Sequence, residues 1–287
     1  MPWSPTIYGQ ERGTRQTPPS MYGQGKRGGG ARPYASGVLI LLPPSEGKTA
    51  PLAGAPVDLD ALSHPGLAKA RKRVGDALVK VSGQRNAFDV LDVGPSLAAE
   101  VERNVTLWDN PSAPASQVYT GVLYDAAGMG SWDTATQERA AERIRIVSAL
   151  WGAVSPADHI PAYRLSMSTS LGRIGPLASY WRKHLATELS HLADGRLIVD
   201  CRSSSYVAAW RPSHTPSLSV RVERELNGKR SVVSHMAKHT RGLLAGALTE
   251  VETVPDTADE VADIARGLEH VIEVSVAGNE LTIVLQG

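Results

Sequence analysis

Val38-Leu39-Ile40-Leu41-Leu42 is an unbroken aliphatic run. A strand with one wet face alternates apolar and polar residues. A continuous run instead demands burial on both faces, the habit of a parallel strand inside an α/β sheet. Such a strand needs helices to cover it, and the sequence supplies them. Pro65–Val81 carries an apolar stripe of Leu67, Ala70, Val74, Ala77, Leu78 and Val81 opposite a basic face. The spacing predicts further helices over Pro95–Leu107, Thr134–Leu150, Ala178–Leu192, Ala237–Leu248 and Asp256–Leu268. Arg196–Cys201 reads as a second strand ending in a polar loop. Two hairpins are expected in the C-terminal half. One pairs 217–226 with 231–235 around Asn227-Gly228, and one pairs 270–276 with 280–285 around Gly278-Asn279. Val118–Tyr124 reads as a strand or a strand-to-helix transition.

The chain divides at the aliphatic run. Residues 1–37 are Gly/Pro-rich and hold five basic residues and one acid. They lack the apolar content for a core and are expected to be a disordered basic extension, with 38–287 the folded domain. The abrupt change at Val38 also suggests that translation starts there, which residues before Val38 in the native protein's mass spectrum would refute. Residues 38–287 carry 25 basic and 28 acidic side chains. A strongly basic body, the usual footprint of a nucleic-acid binder, is therefore absent, and any such binding needs a local basic cleft. No apolar run approaches the roughly 20 residues of a membrane span, and no signal peptide is expected. Cys201 is the single cysteine, which excludes an internal disulfide and fits a reducing cytoplasm.

The stretch Arg143–Leu171 is the most specific in the chain. Ile144, Val147, Ala149 and Leu150 fit the end of a helix, Gly152 a turn, and Pro156 the first position of a second helix. Leu150–Val154 thereby resembles a helix-hairpin-helix corner, which holds DNA backbone through glycine amides; an ordinary αα turn is the plainer reading. Tyr163-Arg164 follows, and a guanidinium just beyond a turn suits anion recognition.

Other constellations are weaker. Gly47-Lys48-Thr49 follows a strand, but the first glycine of a P-loop would fall at Leu42. Lys48 still places a cation on a strand-end loop. His235 and His239 have metal-ligand spacing without an evident third ligand, so no metal site and no cofactor are expected. Cys201 reads as a packed thiol, and Trp151 and Trp181 as core.

In order along the chain, several motifs resemble those of the peroxide stress resistance protein YaaA family. The family's "LISPAKT" is similar to Leu39–Thr49, which retains the lysine as Lys48. "VYTGL" is similar to Val118–Gly121, and "LSGLYGVLRPLD" with "PYRLEM" to the central stretch, keeping Gly152, Pro156, Asp158, Pro161, Tyr163, Arg164 and Met167. "NLASDEYF" falls on Asp200–Val207, keeping Ser203 and Tyr206, and "AKKARGLM" on Ala237, Lys238, Arg241, Gly242 and Leu243. Ser155, Ser166, Ser204 and Ser205 stand where the family has an arginine or carboxylates.

The resemblance implies a single compact domain of mixed α/β (α+β) class, a central mixed sheet or barrel-like core wrapped by helices. It also implies a cytoplasmic role against oxidative damage, with DNA binding as the activity and no assignable catalytic reaction. The candidate DNA- or phosphate-binding residues are Lys48, Tyr119, Gly152, Tyr163, Arg164, Ser203, Tyr206, Lys238 and Arg241. Three functions remain open on the sequence: sequence-independent DNA binding, a nucleotide- or nucleic-acid-processing enzyme with a phosphate pocket, and metal or iron handling through His235 and His239.

Overall fold

The aliphatic run forms β1 (Val38–Leu42), all five residues buried. The computed structural model describes residues 37–287 apart from His214. Except for Gly37, the expected extension lies outside the described residues. β1 is hydrogen-bonded in parallel on one side to β3 (Ile144–Ser148) and on the other to β8 (Leu197–Asp200). Outward from β8 come β9 (Ser217–Leu226), β12 (Glu280–Gln286) and β11 (Val271–Ala277); outward from β3 comes β4 (Gly152–Val154). Five parallel strands thus form the middle of the sheet, with antiparallel β4 and β11 at its edges. The far half of β9 pairs with β10 (Lys229–Val232), completing eight strands among the described residues. Both C-terminal hairpins form around their expected turns, but the second strand of the first runs Lys229–Val232, and 234–235, expected to extend it, already belong to the following helix. The expected mixed sheet is open, with no barrel closure among these pairings.

Two short antiparallel pairs lie outside this sheet: β2 (Ala113–Pro114) with β5 (His159–Ile160), and β6 (Ser170–Leu171) with β7 (Gly175–Pro176). The helices are α1 (Ala68–Ser82), α2 (Ala87–Leu91), α3 (Ala98–Val105), α4 (Ala115–Val118), α5 (Val122–Ala126), α6 (Thr134–Arg143), α7 (Leu177–Ala193), α8 (Ser204–Val207), α9 (Ser234–Glu250) and α10 (Ala258–Arg266). α10 starts with a reciprocal capping box between Thr257 and Glu260. α9 packs on β9 and on α5, α6 and α10. Its Gly242 and Gly246 permit close approach to α5: a Cβ there would fall 2.2 Å from the Leu123 carbonyl oxygen and 2.7 Å from that of Ala127. The last turn of α9 is held by Arg143, which donates to the carbonyls of Leu248, Thr249 and Val251 at 3.0, 3.2 and 2.6 Å.

The structure corrects the reading of the central stretch. The helix ends at Arg143, and Ile144–Ser148 continues as a strand. The segment Ile-Arg-Ile-Val-Ser is β-branched at three positions, and all five residues are buried, Arg145 included. Two-sided burial erases the alternation that separates a strand from a helix, and the apolar positions fitted a helical period by coincidence. Gly152 opens β4 and pairs with Ser148, so the corner is a β-hairpin, not a helix-hairpin-helix. Nor does Pro156 begin a helix. Asp158 closes a turn there, accepting the Ser155 amide on Oδ2 at 2.9 Å and the Ser63 amide and hydroxyl on Oδ1. Buried Arg71 ties the same hairpin down by donating to the carbonyls of Trp151 and Ala153 at 2.9 and 2.8 Å.

Packing requires a glycine at Gly152. Its φ is +72°, and a Cβ would sit 2.6 Å from the Trp181 ring, whose indole N–H donates to the Ala149 carbonyl at 2.7 Å. Left-handed backbone and overpacking together set the cost of Gly152→Ala at about 2–4 kcal/mol. Gly130→Ala, with open space around its Cβ position, serves as the control. Urea unfolding should show a marked loss of stability for the first and little change for the second. Equal midpoints would refute the packed hairpin.

Candidate functional site

The chain leaves β1, forms β3 and β4 on one side, then returns past β1 to build β8 and β9 on the other. Adjacent β1 and β8 therefore form a topological switch point. In open α/β sheets the crevice at the carboxyl ends of such strands is where ligands are held, because the two loops diverge there. The loops in question are 43–48 and 201–206.

Lys48 lies at the end of the first loop, in an isolated antiparallel bridge with Tyr119. Thr49 N–H donates to the Val118 carbonyl at 2.9 Å, and Thr120 N–H to Ser45 Oγ at 3.1 Å, zipping the loop to the segment between α4 and α5. Val118–Tyr124 is thus a short helical turn, a bridge and a helix start, without the extended strand that its composition also allowed. The Tyr124 hydroxyl donates to the Pro43 carbonyl at 2.7 Å and fixes α5 to the same loop.

The Lys48 ammonium position is 4.4 Å from the Tyr163 ring centroid and 5.6 Å from that of Tyr119. Nζ donates to the Ser45 and Glu46 carbonyls at 2.7 and 3.1 Å. Lys48 keeps partial exposure as a residue, while its amine is enclosed by protein. That desolvation, reinforced by the nearby Arg164 guanidinium, lowers its pKa to about 7, with Glu100 and Glu46 opposing.

Behind the lysine runs a hydroxyl chain. Tyr119 Oη is 2.9 Å from Tyr163 Oη, which is 2.7 Å from Ser148 Oγ. Ser148 Oγ accepts the amides of Leu150 and Trp151 at 3.2 and 3.0 Å. Both serine lone pairs are then taken, so Ser148 donates to Tyr163 and Tyr163 to Tyr119. Burial holds both phenols far above their ordinary pKa, and they stay neutral.

Arg164 projects from the segment after β5. Its Nη2 is 3.6 Å from Glu46 Oε2 and its Nη1 3.7 Å from Glu100 Oε2. Its backbone is clamped by Asn104 of α3: Oδ1 accepts the Arg164 amide and Nδ2 donates to the Arg164 carbonyl, both at 2.9 Å. Tyr206 reaches the same place from the second loop. Burial pushes its phenol up to about 12, while the Met167 amide, Arg164 and the Ser166 hydroxyl pull the other way. The loop is pinned by a buried pair in which Arg202 Nε and Nη2 donate to Asp200 Oδ1 and Oδ2 at 2.8 and 2.7 Å, and Nη1 donates to the Tyr206 carbonyl.

Of the nine candidates, the structure brings together Lys48, Tyr119, Tyr163, Arg164 and Tyr206. Ser203 is exposed at the start of α8, with Oγ 3.5 Å from Ser205 Oγ. Arg241 lies beside the same sheet edge, but its Nε and Nη2 both donate to the Val220 carbonyl, at 3.1 and 2.6 Å. Lys238, His235 and His239 are exposed on α9. Among the described residues, no group of three or more His, Cys, Asp or Glu side chains could hold a metal. Cys201 is buried, its thiol pushed up to about 12, as a packing residue. A cavity of about 390 Å³ lined by Tyr119, Thr120, Tyr124, Asp125 and Met129 shares the Tyr119 wall with the cluster.

A sequence profile described as peroxide stress protein YaaA matches residues 38–267. The chain belongs to the YaaA family. It is 39% identical over 239 residues to a UPF0246 protein of Streptomyces coelicolor, covering 82% of this chain and 92% of the relative. A UPF0246 protein of Corynebacterium efficiens is 40% identical over 254 residues, covering 86% of this chain and all of the relative. A Corynebacterium glutamicum relative is 38% identical over 255 residues, with the same coverage.

The motifs shared with the YaaA family account for the lysine, the tyrosines and Arg164, and they miss the residues that place them. Asn104 is fully buried. Its only signal is an amide three positions after Val101, on the face of α3 that the apolar stripe should occupy. Asn104→Ala leaves the amide and carbonyl of Arg164 without partners, at about 1–3 kcal/mol for each buried group left unsatisfied. Thermal unfolding should show this loss, and Asn104→Asp, which keeps one acceptor, should lose less. A melting temperature unchanged in Asn104→Ala would show that the clamp is dispensable.

Proposed function

We propose that this YaaA-family protein acts in the cytoplasmic response to peroxide by binding DNA, independently of sequence, through phosphate contacts at the carboxyl ends of β1 and β8. The observation that carries this reading is the meeting of Lys48 and Tyr206, on the two switch-point loops, with Arg164, Tyr119 and Tyr163 from the segments packed against them. Guanidinium and ammonium groups there suit phosphate oxygens. The family's association with peroxide stress supports the physiological setting. Glu46 and Glu100 temper the local charge. Glu46 is highly exposed, so a phosphate displaces it from Arg164 at little cost, whereas Glu100 is more enclosed.

The enzymatic reading keeps a specific observation in its favour. Lys48 is enclosed more deeply than a backbone-tracking cation needs to be, and the neighbouring cavity has the size of a small-ligand pocket.

Fluorescence anisotropy of duplex DNA across a salt series separates the possibilities. Full-length protein should bind with a steep inverse salt dependence. The Lys48→Met/Arg164→Ala double variant should bind at least tenfold more weakly and lose about 1–2 from the logarithmic salt slope, since each phosphate contact contributes about 0.9. Glu46→Gln should tighten binding a few-fold by freeing Arg164. Unchanged affinity and slope in the double variant would move DNA off this site.

A further inference from the structure

Among the described residues, Lys48 differs from the other lysines in its hydrogen bonding. Lys72 is exposed and paired with Asp76, and Lys229 and Lys238 are exposed. No carboxylate lies within ion-pair distance of Lys48 among the described residues; Arg164 takes both Glu46 and Glu100. An ammonium has three donors, and a neutral amine has two donors and one lone pair. Lys48 donates to two acceptors, the carbonyls of Ser45 and Glu46. The Tyr163 ring face, its centroid 4.4 Å from the nitrogen, takes the remaining position, so these contacts fit the ammonium and the neutral amine alike, while Arg164 Nη1 donates to the same Glu46 carbonyl at 3.4 Å and sets a second cation beside the amine. The rings of Tyr119 and Tyr163 fix the amine from one side, and the exposed residues Glu46 and Gly47 leave the loop open to solvent.

We propose that Lys48 is a nucleophilic amine that condenses reversibly with the carbonyl carbon of a small anionic aldehyde or ketone, whose anionic group is held by Arg164. The nitrogen lone pair attacks the carbonyl carbon to give a carbinolamine. The two N–H protons of the amine leave with the former carbonyl oxygen as water, and a C=N bond remains. No oxidant or reductant is required. A desolvated lysine beside a second cation is the usual way to keep such an amine unprotonated near neutrality. The lowered pKa of Lys48 has these two causes. The charged and titratable groups facing it are Arg164, Glu46, Glu100, Tyr119, Tyr163 and Tyr206, and the phenols stay neutral in this range. The inference rests on the anion-site reading for the role of Arg164, but not for the reactivity of Lys48.

The test uses the full chain and pyridoxal 5′-phosphate, a phosphate-bearing aldehyde, followed by borohydride reduction, intact mass and peptide mapping. One adduct per chain is expected, on Lys48, formed at least tenfold faster than on Lys72 or Lys238. Its rate should rise through about pH 7, as the amine loses its proton. Lys48→Arg, checked for folding by circular dichroism, should lose the fast adduct. Label spread over the exposed lysines with Lys48 unmodified would overturn the proposal, even if inorganic phosphate still raised the melting temperature through Arg164. Fast labelling of Lys48 that neither inorganic phosphate nor duplex DNA slows would support the amine chemistry while removing the phosphate-site reading.

Discussion

Two-sided burial of β1 is the constraint on which the rest of this structure depends. A strand hydrogen-bonded in parallel to both neighbours, with every side chain inside, cannot be reached by its ligands along its length. Its carboxyl end runs into a loop that meets solvent at Glu46 and Gly47. The switch in winding direction between β1 and β8 opens a crevice at that end, and the loop that leaves β1 must pass through it. Lys48 is in this loop, and the loop is zipped to the Tyr119 segment by backbone bonds and to α5 through Tyr124. The lysine is therefore placed by the sheet and not by its own flexible stem.

Electrostatically the site is asymmetric. Arg164 has two carboxylates and a backbone clamped by Asn104, so its charge is both compensated and fixed. Lys48 has carbonyl oxygens, two aromatic faces and a cation for neighbours. A ring face favours a charged amine by about 0.5–2 kcal/mol, while loss of water and the nearby guanidinium favour the neutral one. The second pair of effects prevails, and near neutrality the amine is divided between its two forms. Such a group serves phosphate binding when protonated and nucleophilic chemistry when not.

The sequence made the periphery legible and obscured part of the middle. Hairpins around Asn227-Gly228 and Gly278-Asn279 carry their own turn chemistry, and the amphipathic helices α1, α7 and α10 show a wet face and a dry one. Ile144–Ser148 has no wet face, so its period could not be read, and a strand passed for the end of a helix. The same misreading turned Gly152 into a DNA-contact glycine, when its left-handed backbone makes room for Trp181. Within the site, motif residues were legible because they are unusual: a lysine on a strand-end loop, an arginine after a tyrosine. Arg241 was legible for the same reason, yet its guanidinium holds the Val220 carbonyl. Asn104 and Ser148 were not, because a short polar side chain reveals its function only through the backbone it meets.

The charge state of Lys48 bears most directly on this account. Heteronuclear NMR of the lysine side chains, with the Lys48 signal assigned by Lys48→Arg, follows it through a pH titration of the folded protein. A midpoint near 7 is expected, well below the ordinary lysine value. A Lys48 that stayed protonated to the ordinary lysine range near 10.5 would contradict it, leaving a simple cation over two tyrosine rings.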